Sequence, residues 1–192
     1  MPVQFFAHDG ARLREVTEAT GLPPMRGWWF SLATGDFDED GYPDLVAGNL
    51  GLNHSFATSE RSRFGVYAGD FTGNQTTEIF LVREVAGTEY PVFGLAYLGT
   101  RVYTLGLRYP TAASFAEASV RQLFPSARLD RALHYQVDTF ASVYLHNGGD
   151  GTLTSTPLPN LAQIAPIRGM VAHDVDRNGT LDLLVAGNLY HV

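Results

Sequence analysis

The sequence predicts an all-β protein built from repeats, and three observations support this prediction. A nine-residue acidic pattern occurs three times, beginning at Asp36, Asp70 and Asp174. The residues around each copy are rich in Val, Ile, Leu, Phe and Tyr, which favour strands. Asp-Gly turn signals also stand between short apolar segments near both ends of the chain. A recurring strand–loop–strand unit of this kind indicates a repeat fold.

The first element is a hairpin at residues 6–13 with Asp-Gly as its turn, and a similar hairpin is predicted at 145–153. The strand at 45–50 reads Leu-Val-Ala-Gly-Asn-Leu, and the same six residues recur at 184–189. The second copy starts one residue later relative to its acidic loop, because Leu183 is extra. We expect a β-bulge to absorb that residue.

The middle of the chain combines strands with one helical segment. Residues 90–98 and 101–108 carry Val, Phe, Tyr and Leu between Gly and Thr, which predicts strands. Beyond them, apolar residues recur at helical spacing: Ala116, Val120, Leu123 and Phe124. Ser114 and Glu117 predict a capping box, and Pro125 ends that helix. We therefore predict one domain, 1–192, with repeat units at about 4–53, 64–108 and 136–192 and a helical insertion at 109–135.

The acidic pattern is typical of a loop that binds a hard divalent cation. Ca²⁺ takes six to eight oxygen ligands at about 2.3–2.6 Å. Oxygen-bearing side chains occupy positions 1, 3, 5 and 9 of every copy, and the backbone carbonyl at position 7 adds another oxygen. The candidate ligands are Asp36, Asp38, Asp40, Tyr42 and Asp44 in loop one, Asp70, Thr72, Asn74, Thr76 and Glu78 in loop two, and Asp174, Asp176, Asn178, Thr180 and Asp182 in loop three. A single Asp/Gly-rich turn needs no metal, but three copies with one spacing favour metal binding.

The number of carboxylates ranks the three loops. The charge at the ligand positions is −4 in loop one, −2 in loop two and −3 in loop three. Because ligand charge tunes affinity, we expect two strong Ca²⁺ sites and a weaker third. Loop two also has Gln75 where the others have glycine, which costs strain if its φ is positive. Hydrogen bonds from Thr72 and Asn74 are the alternative to a metal there.

Other chemistries fit the sequence less well. An EF-hand needs a glutamate at position 12, and Ala47, Leu81 and Val185 stand there. Carboxylates held ionised around Ca²⁺ are in the wrong state for a general acid, so we expect no enzymatic activity. The chain has a formal net charge of −7, no basic stripe and no apolar run of about 18 residues. We therefore expect no nucleic-acid partner and no membrane insertion.

The loops and their flanking strands resemble the FG-GAP, or VCBS, repeat family. Phe64-Gly65 precedes loop two as the family's Phe-Gly element does, and residues 47–49 stand where Gly-Ala-Pro is expected. Stretches at 27–29, 48–51, 147–152 and 187–190 are similar to those of bacterial VCBS repeat-containing proteins. The resemblance implies calcium-binding β-propeller blades, here a partial propeller of about three to four blades. It also implies a secreted bacterial protein, extracellular or at the cell surface, although residues 1–6 lack the features of a leader.

Two functions remain open at this point. The first is a calcium-stabilised, non-enzymatic interaction or assembly module of the kind used in cell adhesion. Family propellers close rings of about seven blades, so the open edges of fewer blades predict head-to-tail self-association into a filament, unless the chain is an excerpt of a longer protein. The second is a carbohydrate-binding or carbohydrate-processing accessory domain with Trp28 and Trp29 as its platform. The expected partner is accordingly another protein, a second copy of the chain, or a glycan.

Overall fold

Antiparallel strands carry most of the regular structure in residues 2–56 and 63–188, which the computed structural model describes. The strands are β1 Phe6–His8, β2 Leu13–Glu15, β3 Ser31–Gly35, β4 Asp44–Gly48, β5 Phe64–Gly69, β6 Glu78–Val85, β7 Thr88–Pro91, β8 Leu133–Val137, β9 Val143–Asn147, β10 Leu153–Pro157, β11 Gly169–His173 and β12 Asp182–Ala186. The helices are α1 Leu95–Arg101, α2 Tyr103–Arg108, α3 Ala112–Ala116, α4 Val120–Leu123 and α5 Ser126–Leu129. Short 3₁₀ turns occur at Thr17–Thr20 and Asn160–Gln163. The protein is thus mostly β, with several antiparallel sheets, as predicted.

The chain divides into two compact units. The first unit contains residues 1–55 and 138–192, so both ends of the chain contribute to it. The second unit is the continuous segment 56–137. No helix in the described part of the chain has the length and apolar character that crossing a bilayer requires.

The main sheet of the first unit has the strand order β10–β9–β4–β3. Loop one joins β3 to β4, and the pairing of these strands begins at Gly35 opposite Asp44. On its other side β4 pairs with β9, with Leu45 opposite Leu145. The sheet therefore combines strands that lie about 100 residues apart in the sequence. The predicted hairpins are both present, as the pairs β1–β2 and β9–β10.

Loop three joins β11 to β12 in a two-stranded sheet. The pairing runs from His173 opposite Asp182 to Gly169 opposite Ala186 without interruption. Leu183 pairs with Ala172 as a regular member of the ladder, so the predicted β-bulge at this residue is wrong. The two strands are held in register from the loop outward, and the repeated six-residue sequence is simply displaced by one position along β12.

Asn49 fixes the end of β4. This residue is fully buried, and its side-chain oxygen accepts hydrogen bonds from the backbone N–H groups of Trp28 (3.0 Å) and Leu50 (2.8 Å). Its side-chain nitrogen donates to the carbonyl oxygens of Thr139 (3.0 Å) and Ala141 (3.2 Å). Asn49 is therefore a buried amide that ties the end of β4 to the segment before β9.

The sheet of the second unit has the order β7–β6–β5–β8, with loop two between β5 and β6. One face of this sheet packs against the helices in a single apolar core. The core includes Tyr67, Phe80 and Val82 from the strands and Leu98, Leu105, Phe115, Val120 and Leu123 from the helices. Burial of this much aromatic and aliphatic surface stabilises the association of the helices with the sheet.

The predicted bounds of the helical insertion are wrong. Residues 95–101 and 103–108 form α1 and α2 instead of strands, and residue 133 already begins β8. The helical segment therefore extends from Leu95 to Leu129 instead of 109–135, and the strands of the predicted unit 64–108 end at Pro91. The reason is packing: Leu98, Val102 and Leu105 follow helical spacing, and all three are buried in the core.

The predicted capping box at Ser114 and Glu117 is also wrong. Thr111 caps α3 by accepting the backbone N–H of Ser114 at 3.1 Å. The side chain of Gln122 accepts the backbone N–H of Ser119 at 2.8 Å at the start of α4. The single helix predicted across 114–124 is thus two short helices, each with its own cap.

Candidate metal-binding loops

The three acidic loops share one hydrogen-bond frame. The carboxylate at position 1 accepts the backbone N–H groups of positions 5 and 6; in loop one, Asp36 accepts from Asp40 (3.1 Å) and Gly41 (3.0 Å). Asp70 and Asp174 accept the corresponding bonds in loops two and three. Each loop is therefore folded around its first carboxylate.

Positions 5 and 9 complete the frame. The side chain at position 5 accepts the backbone N–H of position 7 in each loop, at 2.8, 2.9 and 2.7 Å from the first loop to the third. The carboxylate at position 9 accepts the N–H of position 2, at 3.3 Å for Asp44, 2.8 Å for Glu78 and 2.9 Å for Asp182. The equivalence of the three loops, inferred from spacing, thus extends to their backbone conformation.

Two positions of each loop have left-handed backbone. At position 6 the φ angles are +91° for Gly41, +66° for Gln75 and +99° for Gly179, so Gln75 carries the strain that was predicted for it. Position 4 is also left-handed, a requirement that spacing did not predict: Glu39 at +61°, Gly73 at +83° and Arg177 at +62°. Loop two has its glycine at position 4, and the other two have theirs at position 6.

Carboxylates converge in loops one and three. Ligand atoms of Asp36, Asp38 and Asp40 lie within 4.8 Å of one another, and so do those of Asp174, Asp176 and Asp182. Three like charges at this spacing repel one another unless a cation lies between them. The donor set is all oxygen, as Ca²⁺ prefers. The side chains predicted as ligands at positions 1, 3 and 5 of loop one, and at 1, 3 and 9 of loop three, are thus brought together.

Asp44 closes loop one from inside the protein. Its side chain is fully buried, and it accepts hydrogen bonds from the Tyr144 hydroxyl (2.5 Å) and the Asn147 backbone N–H (2.8 Å) in addition to that of Phe37. Burial alone would raise the pKa of Asp44, but these donors and the nearby His146 hold it below its ordinary value. Burial, together with the bond to Asp44, conversely raises the pKa of Tyr144. Asp44 is therefore a fixed carboxylate that is held in its ionised form.

His146 is a contact of loop one that sequence reasoning missed. Its Nδ1 lies 3.0 Å from Oδ2 of Asp38 and 3.4 Å from Oδ1 of Asp44. The equivalent residue of the first hairpin, His8, instead accepts the backbone N–H of Gly10 within its own turn. The pairing of β9 with β4 brings His146 beside loop one, and this pairing cannot be predicted from the local sequence.

Loop two satisfies its carboxylates internally. Glu78 accepts hydrogen bonds from the hydroxyls of Thr72 (2.9 Å) and Thr76 (3.0 Å), in addition to the Phe71 N–H. Arg128 of α5 also lies against this loop, because a Cβ at Gly73 would be 2.5 Å from its Nη2. With only two carboxylates, hydroxyl donors and a guanidinium alongside, loop two has less negative charge at its ligand positions than loops one and three have.

The positions of the two tryptophans bear on the glycan alternative. Both side chains are half-buried. The Trp29 indole N–H donates to the Met25 carbonyl at 3.0 Å, and its ring packs on the core of the first unit. The Trp28 ring meets Phe140 edge to face, with centroids 5.4 Å apart. Both rings thus make packing contacts within the first unit while they remain partly exposed.

Comparison with known protein families gives a match for the segment that holds loop one. Residues 28–58 match the model of the FG-GAP repeat, and this range includes β3, loop one and β4. Searches of curated proteins and of solved structures each found no significant match to the chain. The resemblance predicted from the sequence is confirmed for this segment.

Proposed function

We propose that the chain, whose residues 28–58 match the FG-GAP repeat, is a calcium-stabilised, non-enzymatic interaction module of the β-propeller type, with about three to four blades. The observation that carries the proposal is the convergence of carboxylates in loops one and three on one shared hydrogen-bond frame. Each loop connects two paired strands, so the role proposed for the bound ion is to stabilise the fold.

Calcium supplies the positive charge that these carboxylates require. In loop one the ion is held by Asp36, Asp38, Asp40 and Asp44, with the carbonyl oxygen of Tyr42. In loop three the ligands are Asp174, Asp176, Asn178 and Asp182, with the carbonyl oxygen of Thr180. Since each loop joins two paired strands, a bound ion ties the ends of those strands together and stabilises the hairpin.

We place this module outside the cell, since extracellular Ca²⁺ is abundant enough to keep the sites of loops one and three filled. A ligand that binds only the folded loop stabilises the fold by RT ln(1 + [L]/Kd), which is about 2.7 kcal/mol when the free ion is at 100 times its Kd. Two such loops make the module stable where Ca²⁺ is plentiful and markedly less stable where it is scarce.

Self-association is the interaction that the second unit favours. Ile79 on β6 and Leu133 on β8 lie in one row across the sheet through Ala68, on the face opposite the helices. Ile79, Leu133 and the neighbouring Tyr135 are each half or more exposed. Within the described residues, β7 and β8 are also edge strands. An exposed apolar face can pack against another sheet, and an unpaired edge strand can pair with another strand. We propose that a second copy of the chain covers these surfaces. Repeated head to tail with a rotation that does not close into a ring, this contact generates a filament.

Calorimetric titration of Ca²⁺ tests the metal sites. We expect two strong binding events, of which Asp40→Ala removes one and Asp176→Ala removes the other. Asn74→Ala in loop two is the matched control and should leave both events in place. An absence of binding heat in the wild-type protein, or variants that leave both events intact, would overturn the proposal.

Light scattering over a range of protein concentrations tests the association. We expect the mass to rise with concentration in Ca²⁺, and Leu133→Arg to prevent the rise. Leu107→Arg is the matched control, because Leu107 is 70% exposed on α2, away from the sheet face. A monomer at every concentration would refute self-association without affecting the calcium sites.

A further inference from the structure

We infer that loop one binds its cation with one nitrogen ligand, Nδ1 of His146, and so favours a first-row transition dication such as Mn²⁺ more strongly than loop three does. The inference rests on the proposed cation site of loop one and concerns which ion that site selects. Ca²⁺ prefers oxygen ligands alone, whereas transition dications also accept imidazole.

The separations around His146 suit ligands of one ion. Its Nδ1 lies 3.0 Å from Oδ2 of Asp38 and 3.4 Å from Oδ1 of Asp44. Two ligand atoms bound at right angles, each about 2.1 Å from the same ion, are about 3.0 Å apart. Asp38 belongs both to this group and to the group with Asp36 and Asp40. His146 belongs to the group with Asp38 and Asp44 and not to the group with Asp36 and Asp40, so the ion that the imidazole reaches is one held by Asp38 and Asp44.

Strand β9 holds His146 at this place. Residue 145 pairs with residue 45 beside the end of loop one. The neighbours of His146 on the same strand, Tyr144 and Asn147, both donate hydrogen bonds to Asp44. Asp44 is thus fixed against the strand that carries the imidazole, and the nitrogen and the buried carboxylate stay together.

Loop three provides an internal comparison. Its converging group is Asp174, Asp176 and Asp182, and no histidine of the described residues belongs to it. His173 directly precedes Asp174 in the sequence, yet its ring nitrogens are not part of the group. Loops one and three share a backbone frame but differ at position 5, where Asp40 corresponds to Asn178, and in the imidazole. Of these two differences only the imidazole supplies a nitrogen ligand, so it is the one that favours a transition dication.

Pulsed EPR of bound Mn²⁺ tests the inference on the full-length chain. An Asp176→Ala background weakens loop three, so that Mn²⁺ reports on loop one. We expect electron spin echo modulation from a directly coordinated ¹⁴N, and its loss in His146→Gln. The same change should weaken Mn²⁺ binding by about tenfold or more, and Ca²⁺ binding by less than about twofold because Ca²⁺ does not need the nitrogen. His8→Gln is the matched control and should change neither quantity.

The outcomes separate this inference from the proposed function. Ca²⁺ binding at loop one together with Mn²⁺ that shows no nitrogen coupling would overturn the role of His146 and leave the calcium module standing, because His146 would then only donate a hydrogen bond to Asp38. Failure of loop one to bind either ion would overturn both. Circular dichroism of His146→Gln and of a second variant, His146→Asn, establishes that a lost signal does not reflect unfolding.

Discussion

Asp44→Asn is expected to destabilise the first unit even when no calcium is present. The carboxylate is fully buried and accepts three hydrogen bonds, one through Oδ1 from Asn147 and two through Oδ2 from Phe37 and Tyr144. An asparagine has one acceptor oxygen and a donor NH₂ group. In either orientation of the amide, at least one backbone N–H, that of Asn147 or that of Phe37, therefore faces the NH₂ group and loses its acceptor.

The size of the effect follows from these contacts. A buried N–H without an acceptor costs about 1–3 kcal/mol. The bonds that remain lose their charge assistance, which roughly doubles the strength of a hydrogen bond. We expect a total loss of about 2–4 kcal/mol in the free energy of unfolding. For a chain of 192 residues, each kcal/mol lowers the melting temperature by about 2–4 °C.

Urea denaturation followed by tryptophan fluorescence measures this loss, because both tryptophans, Trp28 and Trp29, lie in the first unit. The experiment is done in chelator, so that the lost metal ligand does not contribute. Asp182→Asn in loop three is the matched control, since Asp182 is only half-buried and its one backbone bond is to Val175. We expect about 1 kcal/mol or less for the control. Equal losses for the two variants, or a loss below about 0.5 kcal/mol for Asp44→Asn, would refute the reasoning.

Three further predictions concern the second unit. Phe115→Ala leaves a cavity in the helix–sheet core and should cost about 3–5 kcal/mol by circular-dichroism melting; an effect below about 1 kcal/mol would contradict the packing described. Gln75→Gly removes the left-handed strain of loop two and should stabilise the protein by about 0.5–1 kcal/mol, which a urea midpoint shifted downward would contradict. Tyr67 donates to Glu89 at 2.7 Å, and its burial, followed by that bond, raises its pKa. The stabilisation that the protonated Tyr67 hydroxyl gives the folded state is therefore fully present below the unfolded-state pKa of about 10, and it is lost as the pH rises beyond that value. Tyr67→Phe should accordingly flatten the fall in the free energy of unfolding between about pH 9 and pH 12.

The acidic loops could be predicted from the sequence because their structure is local. Each carboxylate at position 1 binds N–H groups four and five residues away, so spacing alone specifies the frame. The strain at Gln75 was predictable for the same reason. The left-handed backbone at position 4 could not be predicted, because a positive φ is uncommon for glutamate and arginine, the residues at positions 39 and 177.

The contacts of loop one with β9 could not be predicted, because they depend on pairing between distant strands. His146 and Tyr144 reach Asp44 only because β9 lies beside β4. The helices α1 and α2 were missed for a different reason. Their Val, Tyr and Leu content favours strands, and the helical spacing of Leu98, Val102 and Leu105 was the stronger signal, since burial of one helical face outweighs intrinsic propensity.

The melting temperature in Ca²⁺ and in chelator tests the central claim most directly. Two loops saturated to about 100 times their Kd add about 2.7 kcal/mol each, so calorimetry should show a rise of roughly 10–20 °C on adding Ca²⁺. The rise should be roughly halved in Asp40→Ala, which loses the ion of loop one. An identical melting curve with Ca²⁺ and with chelator would contradict the claim that these carboxylate loops hold calcium to stabilise the fold.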